Sequence, residues 1–139
     1  MVGADRKEGS DVEDDLKVVA IPRKGRGIVA GRRFAEGEVI ERAPVLVISA
    51  ADWRLVQDTV VSKYCFSWGR ELKDAALALG RCSLFNHSYK ANAYAQPYAK
   101  ERVMEFLAFR DIDEGEEITI NYNGEPDAAG AVGFRVHDP

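Results

Sequence analysis

The chain has 139 residues, 46% of them hydrophobic and 30% charged, a composition typical of one globular domain with a hydrophobic core. This length excludes a kinase, a barrel enzyme and an enzyme with a separate cofactor-binding domain. Nineteen Lys and Arg against 23 Asp and Glu give a net charge of -4, which disfavours direct binding to nucleic acid or a membrane surface and favours a basic partner.

The chain begins with a polar segment, and short apolar runs follow it. Residues 1–15 contain six acidic side chains and almost no apolar ones, so we expect a flexible acidic leader there. Short apolar runs follow, many of them rich in β-branched residues and bounded by Gly, Pro, Asn or Asp, which predicts strands. The predicted strands are Leu16–Ile21, Gly27–Ala30, Val39–Ile48, Tyr64–Trp68, Asn92–Tyr98, Val103–Phe109 and Ile118–Tyr122.

Two segments interrupt the strands. Ser49, three residues before Asp52, predicts an N-capped helix that ends before Tyr64. Glu71–Leu79 is a candidate second helix, ended by Gly80. Because strands and helices do not alternate, we predict a mainly β fold of several small sheets with one or two short helices.

The cysteines and the apolar runs set limits on cofactors and location. Cys65 and Cys82 form no CxxC pair and the chain has only two histidines, so we expect no metal site and two buried, reduced thiols. No apolar run reaches the ~18–20 residues of a membrane-spanning helix, so we expect no membrane contact. A cytoplasmic location is the default expectation, with the nucleus or secretion into a host cell as alternatives.

Two motifs combine polar groups with turn-forming residues. The run Lys24-Gly25-Arg26-Gly27-Ile28 fits either a hairpin turn or a backbone that approaches a ligand closely. The run Asn86-His87-Ser88, with Asn92 following, fits either a polar turn or a site that grips a polar ligand.

A third motif is the acidic segment from Asp111 to Asp127. It holds seven carboxylates and no Lys or Arg, and it includes a turn at Gly115 and a strand that ends at Tyr122. The segment fits either a solvated hairpin or a surface that attracts a basic peptide.

The order and spacing of these motifs, together with Phe34-Ala35-Glu36-Gly37-Glu38, resemble those of SET-domain protein-lysine methyltransferases over residues 16 to about 124. The chain is similar to the minimal viral and bacterial members, which lack accessory domains. The resemblance implies the family's β-clip fold, in which a C-terminal pseudoknot brings residues 86–87 beside Tyr122. It also implies that residues 125–139 form a tail after the domain.

The resemblance also implies roles for individual residues. S-adenosylmethionine would lie against Gly25, Arg26 and Gly27, with Asn86 and the backbone at His87 fixing its two ends, and S-adenosylhomocysteine would be the product. Tyr122 lies at the position of the family's catalytic tyrosine. The target lysine of a basic protein, such as a histone, would enter a channel whose candidate walls are aromatic. These candidates are Tyr64, Phe66, Tyr94 and Phe109.

Larger relatives close the cofactor site with a cysteine-rich, zinc-binding tail, whereas residues 123–139 contain no cysteine. Two replacements are open: Phe134 folds over the adenine, or a second copy of the chain completes the site in a homodimer, as in the viral relative. Two functions besides lysine methylation also remain open. The first is an inactive SET-like module for peptide binding or assembly. The second is methylation of a small amine or a free amino terminus.

Overall fold

The computed structural model describes residues 14–132, 136 and 138. The elements of the described part, in chain order, are strands β1 (Leu16–Ile21), β2 (Gly25–Ala30) and β3 (Val39–Ile48), helix α1 (Ala50–Val56), a 3₁₀ helix (Val60–Tyr64), strands β4 (Cys65–Trp68) and β5 (Asp74–Ala78), a second 3₁₀ helix (Arg81–Leu84), and strands β6 (Asn86–His87), β7 (Ala93–Tyr98), β8 (Val103–Ala108) and β9 (Thr119–Ile120). The fold is therefore mainly β, as predicted.

The expected acidic leader falls mostly outside the described residues, since these begin at Asp14. Asp15 is bonded to the loop after β2. Its carbonyl accepts from the N–H of Gly31 at 2.7 Å, and its carboxylate pairs with Arg32 at 3.0 Å. The end of the leader thus lies against the folded domain.

The first two strands form a hairpin that contains the glycine motif. β1 pairs antiparallel with β2 from Leu16↔Ala30 to Ile21↔Gly25. Gly25 has a φ of +79°, a left-handed conformation that costs glycine nothing, so it ends the turn. Gly27 lies inside the paired region. The motif is therefore a turn at its start and a strand at its end.

Five strands form the main sheet in the order β4-β5-β3-β8-β7, with every neighbouring pair antiparallel. β3 lies at its centre, where its first half pairs with β8 and its second half with β5. The register of β3 against β8 shifts between Val39 and Glu41. Such a shift bends the strand and increases its twist, which curls the sheet around the core.

The helical prediction after β3 is confirmed at its start. The hydroxyl of Ser49 accepts from the N–H of Asp52 at 3.1 Å, so helix α1 begins with the expected cap. α1 ends at Val56, and Thr59 caps the separate 3₁₀ helix that reaches Tyr64. The single predicted helix is thus two short ones.

The candidate second helix over Glu71–Leu79 is wrong. Residues Asp74–Ala78 form β5, which pairs with β4 on one edge and β3 on the other. Alanine favours helices in isolation, but Ala75, Ala76 and Ala78 are buried here and hydrogen bonds on both edges outweigh that preference.

The C-terminal segment joins the hairpin to the Asn-His motif. Glu117 forms an isolated antiparallel bridge with Val29 of β2. Two residues later, β9 pairs in parallel with β6, through Asn86↔Thr119 and His87↔Ile120. This is the pairing that the expected pseudoknot requires, and it brings Tyr122 to the end of β6.

Aromatic packing fixes Phe85, the residue directly before the Asn-His motif. Phe85 and Phe106 are both fully buried, and their rings meet edge to face with centroids 5.3 Å apart. Burial of a phenylalanine contributes roughly 1.5–3 kcal/mol. The backbone of Asn86 is therefore held in place by its buried neighbour Phe85.

The cysteines agree only in part with the sequence prediction. Cys82 is buried and Cys65 is half-buried, because β4 is an edge strand; both are free thiols. Within the described ranges, no three His, Cys, Asp or Glu side chains are grouped as metal ligands. The helices of the same ranges are too short and polar to cross a membrane.

Candidate active site

The side chain of Asn86 lies against the backbone of the glycine motif. Its Nδ2 donates to the carbonyl of Arg26 at 3.0 Å. A Cβ on Gly27 would lie 2.6 Å from this nitrogen, closer than Cβ atoms come to other atoms, so only glycine permits the approach. Gly25, Arg26, Gly27 and Asn86, which the sequence predicted as cofactor ligands, are thus brought together.

His87 holds the backbone of Tyr122. Its Nδ1 accepts from the N–H of Tyr122 at 3.0 Å, and the two rings lie with centroids 5.2 Å apart. Acceptance at Nδ1 requires the tautomer that carries its proton on Nε2. Burial lowers the pKa of His87, Asp138 opposes this, and Lys24 adds to it. The imidazole is therefore neutral at physiological pH, and it positions the tyrosine.

The hydroxyl of Tyr122 is fixed beside the Asn-His motif. It donates to the carbonyl of Phe85 at 2.8 Å, the residue directly before Asn86. Burial raises the pKa of Tyr122 to about 12, with smaller contributions from Tyr64 and Glu117. The phenol therefore stays protonated at neutral pH. Tyr122 as a whole is 44% exposed, so it lies at the protein surface while its hydroxyl is bonded to Phe85.

The four candidate channel aromatics lie in three different settings. Tyr64 is close enough to Tyr122 to affect its pKa. Phe66 packs against the hydrophobic core. Tyr94 and Phe109 contact each other edge to face, with centroids 6.4 Å apart. The structure therefore gives Phe66 a packing role and pairs Tyr94 with Phe109, and Tyr64 is linked to Tyr122 only through its effect on the pKa.

The acidic segment is less available to a partner than its sequence suggests, because cations, among them the distant Lys24 and Arg33, neutralise much of it. The pairs are Arg33 with Asp111 and Asp113, Arg110 with Glu116, and Lys24 with Glu117. Within the described part, Glu114, Glu125 and Asp127 form no salt bridge. Any attraction of a basic peptide by this segment therefore falls mainly on these three.

Sequence reasoning missed Glu117 as part of the site. Its carboxylate accepts from Lys24 Nζ at 2.9 Å and from Asn86 Nδ2 at 2.9 Å. No local signal separates Glu117 from its acidic neighbours, since Lys24 is 93 residues away in the sequence. Only the pairing of the C-terminal segment with β2 brings the two together.

The segment after Tyr122 is anchored by asparagine side chains. Buried Asn121 donates from Nδ2 to the carbonyl of Ala128 at 2.7 Å and that of Pro126 at 3.3 Å. Asn123 donates to the carbonyl of Gly130 at 2.6 Å. Phe134, the predicted cover for the adenine, lies outside the described residues.

Asp138 brings the end of the chain to the Asn-His motif. Its carboxylate accepts from the backbone N–H of Tyr89 at 3.2 Å, and its charge acts on His87. The ring of Tyr89 in turn contacts that of His87 edge to face, with centroids 4.5 Å apart. The last described residue thus lies beside the predicted cofactor ligands.

The family model of the SET domain matches residues 25–123. The histone-lysine N-methyltransferase, H3 lysine-37 specific, of Schizosaccharomyces pombe is 30% identical over 112 residues, which cover 80% of this chain and 75% of the yeast protein.

Two further proteins are similar to this chain, one in sequence and one in fold. The N-lysine methyltransferase KMT5A of Xenopus tropicalis is 32% identical over 122 residues; the match covers 79% of this chain but only 36% of the frog protein. A crystal structure of a candidate histone methyltransferase from Plasmodium falciparum superposes with a TM-score of 0.61 at 23% identity, covering 78% of this chain and 92% of that one.

Proposed function

The chain belongs to the SET-domain family and is a protein-lysine methyltransferase, and we propose that it transfers methyl groups from S-adenosylmethionine to lysine side chains of a basic protein, with histones as the substrate class. One observation carries this proposal. The Tyr122 hydroxyl is bonded to the Phe85 carbonyl, and the next residue, Asn86, is bonded to the Arg26 carbonyl. The groups assigned to methyl transfer and to cofactor binding therefore meet at one point.

The residues present fit the charged end of S-adenosylmethionine. The α-carboxylate needs a cation, and exposed Arg26 forms no salt bridge with a described residue. The α-ammonium needs an acceptor, which the Oδ1 atom of Asn86 supplies. A Cβ on Gly25 would meet nothing within 4 Å, so the surface in front of the glycine motif is open. The donor and acceptor set thus matches the amino-acid part of this cofactor.

The chain's own residues position the reactants and control a proton. When bound, the cofactor supplies a methyl group that its sulfonium makes reactive toward a neutral amine. Lysine has an ordinary pKa of about 10.4, so the amine must lose a proton before it attacks. Tyr122, with a pKa of about 12, stays protonated and does not accept it. The proton therefore leaves to water, and burial of the amine against the protein would favour this by disfavouring the ammonium form.

The substrate class rests on charge and on relatives. The yeast relative is named for a histone lysine, and histones are basic. The net charge of -4 favours a basic partner. The carboxylates of Glu114, Glu125 and Asp127, which lack salt bridges within the described part, supply negative charge in the segment around Tyr122.

The test is transfer of a labelled methyl group from S-adenosylmethionine to a panel of histones, other basic proteins and small amines, with Tyr122→Phe alongside. We expect label in a protein band, reduced about a hundredfold or more in the variant because one oriented hydroxyl is removed. Label in small amines alone would contradict protein methylation. Failure of the chain to bind the cofactor in calorimetry would favour an inactive, peptide-binding module.

A further inference from the structure

The carboxylate of Glu117 connects the turn of the glycine motif to the Asn-His motif. Its Oε1 accepts from Lys24 Nζ and its Oε2 from Asn86 Nδ2, each at 2.9 Å. The side chains of Lys24 and Glu117 are only 10% and 18% exposed. Screening by water is therefore weak, and the geometry of the pair is well defined compared with surface ion pairs.

The backbone of Glu117 is held on both sides. It bridges Val29 of β2, and its carbonyl accepts from Nδ2 of buried Asn92 at 2.8 Å. The Oδ1 atom of the same Asn92 accepts from the N–H of Thr119 at 2.9 Å. Gly27 leaves the room for the side chain, since a Cβ there would lie 3.0 Å from Glu117 Oε2. Glu117 is thus a fixed group that cannot easily turn away from Asn86.

This arrangement determines which way the amide of Asn86 faces. Both groups that contact its nitrogen are acceptors, namely the carbonyl of Arg26 and the carboxylate of Glu117. They engage the two N–H donors of the amide, so the remaining polar atom, Oδ1, is directed elsewhere as an acceptor. Within the described part of the chain, the side chain of Asn86 acts only as a donor. Without Glu117, only the hydrogen bond to the carbonyl of Arg26 would hold the amide in this orientation.

We propose that Glu117 is a positioning residue that fixes the Asn86 amide, so that Oδ1 accepts from the α-ammonium group of the cofactor, while Lys24 fixes the carboxylate in turn. This inference rests on the proposed function, because it requires S-adenosylmethionine as the ligand. It gives Glu117 a role in cofactor affinity, where its sequence context suggested only an acidic surface. We do not expect Glu117 to affect the methyl-transfer step at Tyr122.

The experiment compares the wild-type chain with Glu117→Ala, Glu117→Gln and Asp111→Asn. Asp111 lies in the same acidic segment and also forms an ion pair, but with exposed Arg33, so it is the matched control. Calorimetry with S-adenosylmethionine measures the Kd. We expect Glu117→Ala to raise it about tenfold or more, because Oδ1 of Asn86 is no longer held in place and its hydrogen bond to the charged ammonium group is weakened. Glu117→Gln retains an acceptor oxygen and should raise it less, and Asp111→Asn should leave it unchanged.

Two further readouts separate positioning from a general structural defect. The side-chain amide signals of Asn86 in the cofactor-free chain should shift in Glu117→Ala and not in Asp111→Asn. The KM for the cofactor should rise while kcat at saturating cofactor stays within about twofold, because the reacting groups are unchanged. If Glu117→Ala fails to fold, Glu117→Gln decides by the same readouts.

The outcomes distinguish this inference from the proposed function. A wild-type chain that binds the cofactor, with an unchanged Kd in folded Glu117 variants, would overturn the inference alone. A wild-type chain that does not bind S-adenosylmethionine would overturn the proposed function and the inference with it. A fall in kcat with no change in KM would also contradict a positioning role for Glu117.

Discussion

The imidazole of His87 and the backbone N–H of Tyr122 form a 3.0 Å hydrogen bond between residues 35 positions apart in the sequence. The bond needs a neutral imidazole, because a protonated Nδ1 has no lone pair to accept with. His87 is only 3% exposed. Protonation would therefore both charge a buried ring and break the bond that positions Tyr122.

We predict that His87 makes the fold less stable in mild acid. Burial lowers its pKa below the ordinary 6.5, so around that pH the unfolded chain binds a proton that the folded chain does not. The contribution of His87 to stability is complete above pH 6.5 and is lost as the pH falls through the folded pKa. Between about pH 7.5 and about pH 5.5, urea denaturation should show a falling free energy of unfolding.

His87→Asn is the control for this titration. Its Oδ1 can accept from the Tyr122 N–H as Nδ1 does, but it cannot be protonated in this range. The variant should lose the pH dependence and keep the fold. An equal loss of stability in wild type and variant would show that other groups, such as the carboxylates, cause it.

Gly27 should be essential for cofactor binding. A Cβ there would come within 2.6 Å of Asn86 Nδ2 and 2.7 Å of Ile21, so Gly27→Ala displaces the amide from the carbonyl of Arg26. We expect the Kd for S-adenosylmethionine, measured by calorimetry, to rise at least about tenfold.

Gly37→Ala is the matched control for Gly27→Ala. Gly37 has a φ of +86° with open space around it, so alanine strains the backbone there by about 1 kcal/mol and clashes with nothing. It should lower stability and leave the Kd unchanged. A similar rise in Kd in both variants would mean that reduced stability, and not the contact with Asn86, weakens binding.

The parts of the fold that could be predicted depend on neighbours in the sequence. Ser49 caps α1 as predicted, since the cap and the N–H that it accepts from are three residues apart. The strands at Leu16–Ile21 and Val39–Ile48 also lie where their apolar runs predicted them. The spacing of the Gly, Asn-His and Tyr motifs carried the resemblance to the family, because each motif is short and continuous.

The parts that could not be predicted depend on distant partners. Asp74–Ala78 is a strand because β3 and β4 pair with it, although its alanines favour a helix. Glu116 pairs with Arg110, six residues away, whereas Glu117 pairs with Lys24, 93 residues away, and nothing in their local sequence predicts this difference. Arg33 and Lys24 neutralise part of the acidic segment. Each lies more than 75 residues from the carboxylate that it pairs with.

Glu125 should contribute to the capture of a basic substrate. It lies three residues after Tyr122, is exposed, and forms no salt bridge with the described residues. Glu125→Gln should raise the KM for a lysine-rich peptide roughly two- to fivefold at low salt, and the difference should vanish at about 0.5 M salt because exposed charges are screened.

Glu101→Gln is the control for Glu125→Gln, since it makes the same chemical change in the turn between β7 and β8. Steady-state kinetics at two ionic strengths compares them. Equal effects of the two substitutions would assign the salt dependence to net charge. A difference in KM between wild type and Glu125→Gln that persists at about 0.5 M salt would contradict the electrostatic role of Glu125.

Asn121 should hold the segment after Tyr122 in place. Its side chain is buried and donates to the carbonyls of Ala128 and Pro126, so Asn121→Ala removes the donor from one half-buried and one buried carbonyl and should cost about 1–3 kcal/mol. Limited proteolysis should then cut between residues 124 and 132 faster than in the wild type. Asn123→Ala removes one exposed bond, to Gly130, and should change both quantities less. If Asn121→Ala unfolds at the wild-type denaturant midpoint with the same cleavage rate, these bonds do not anchor the segment.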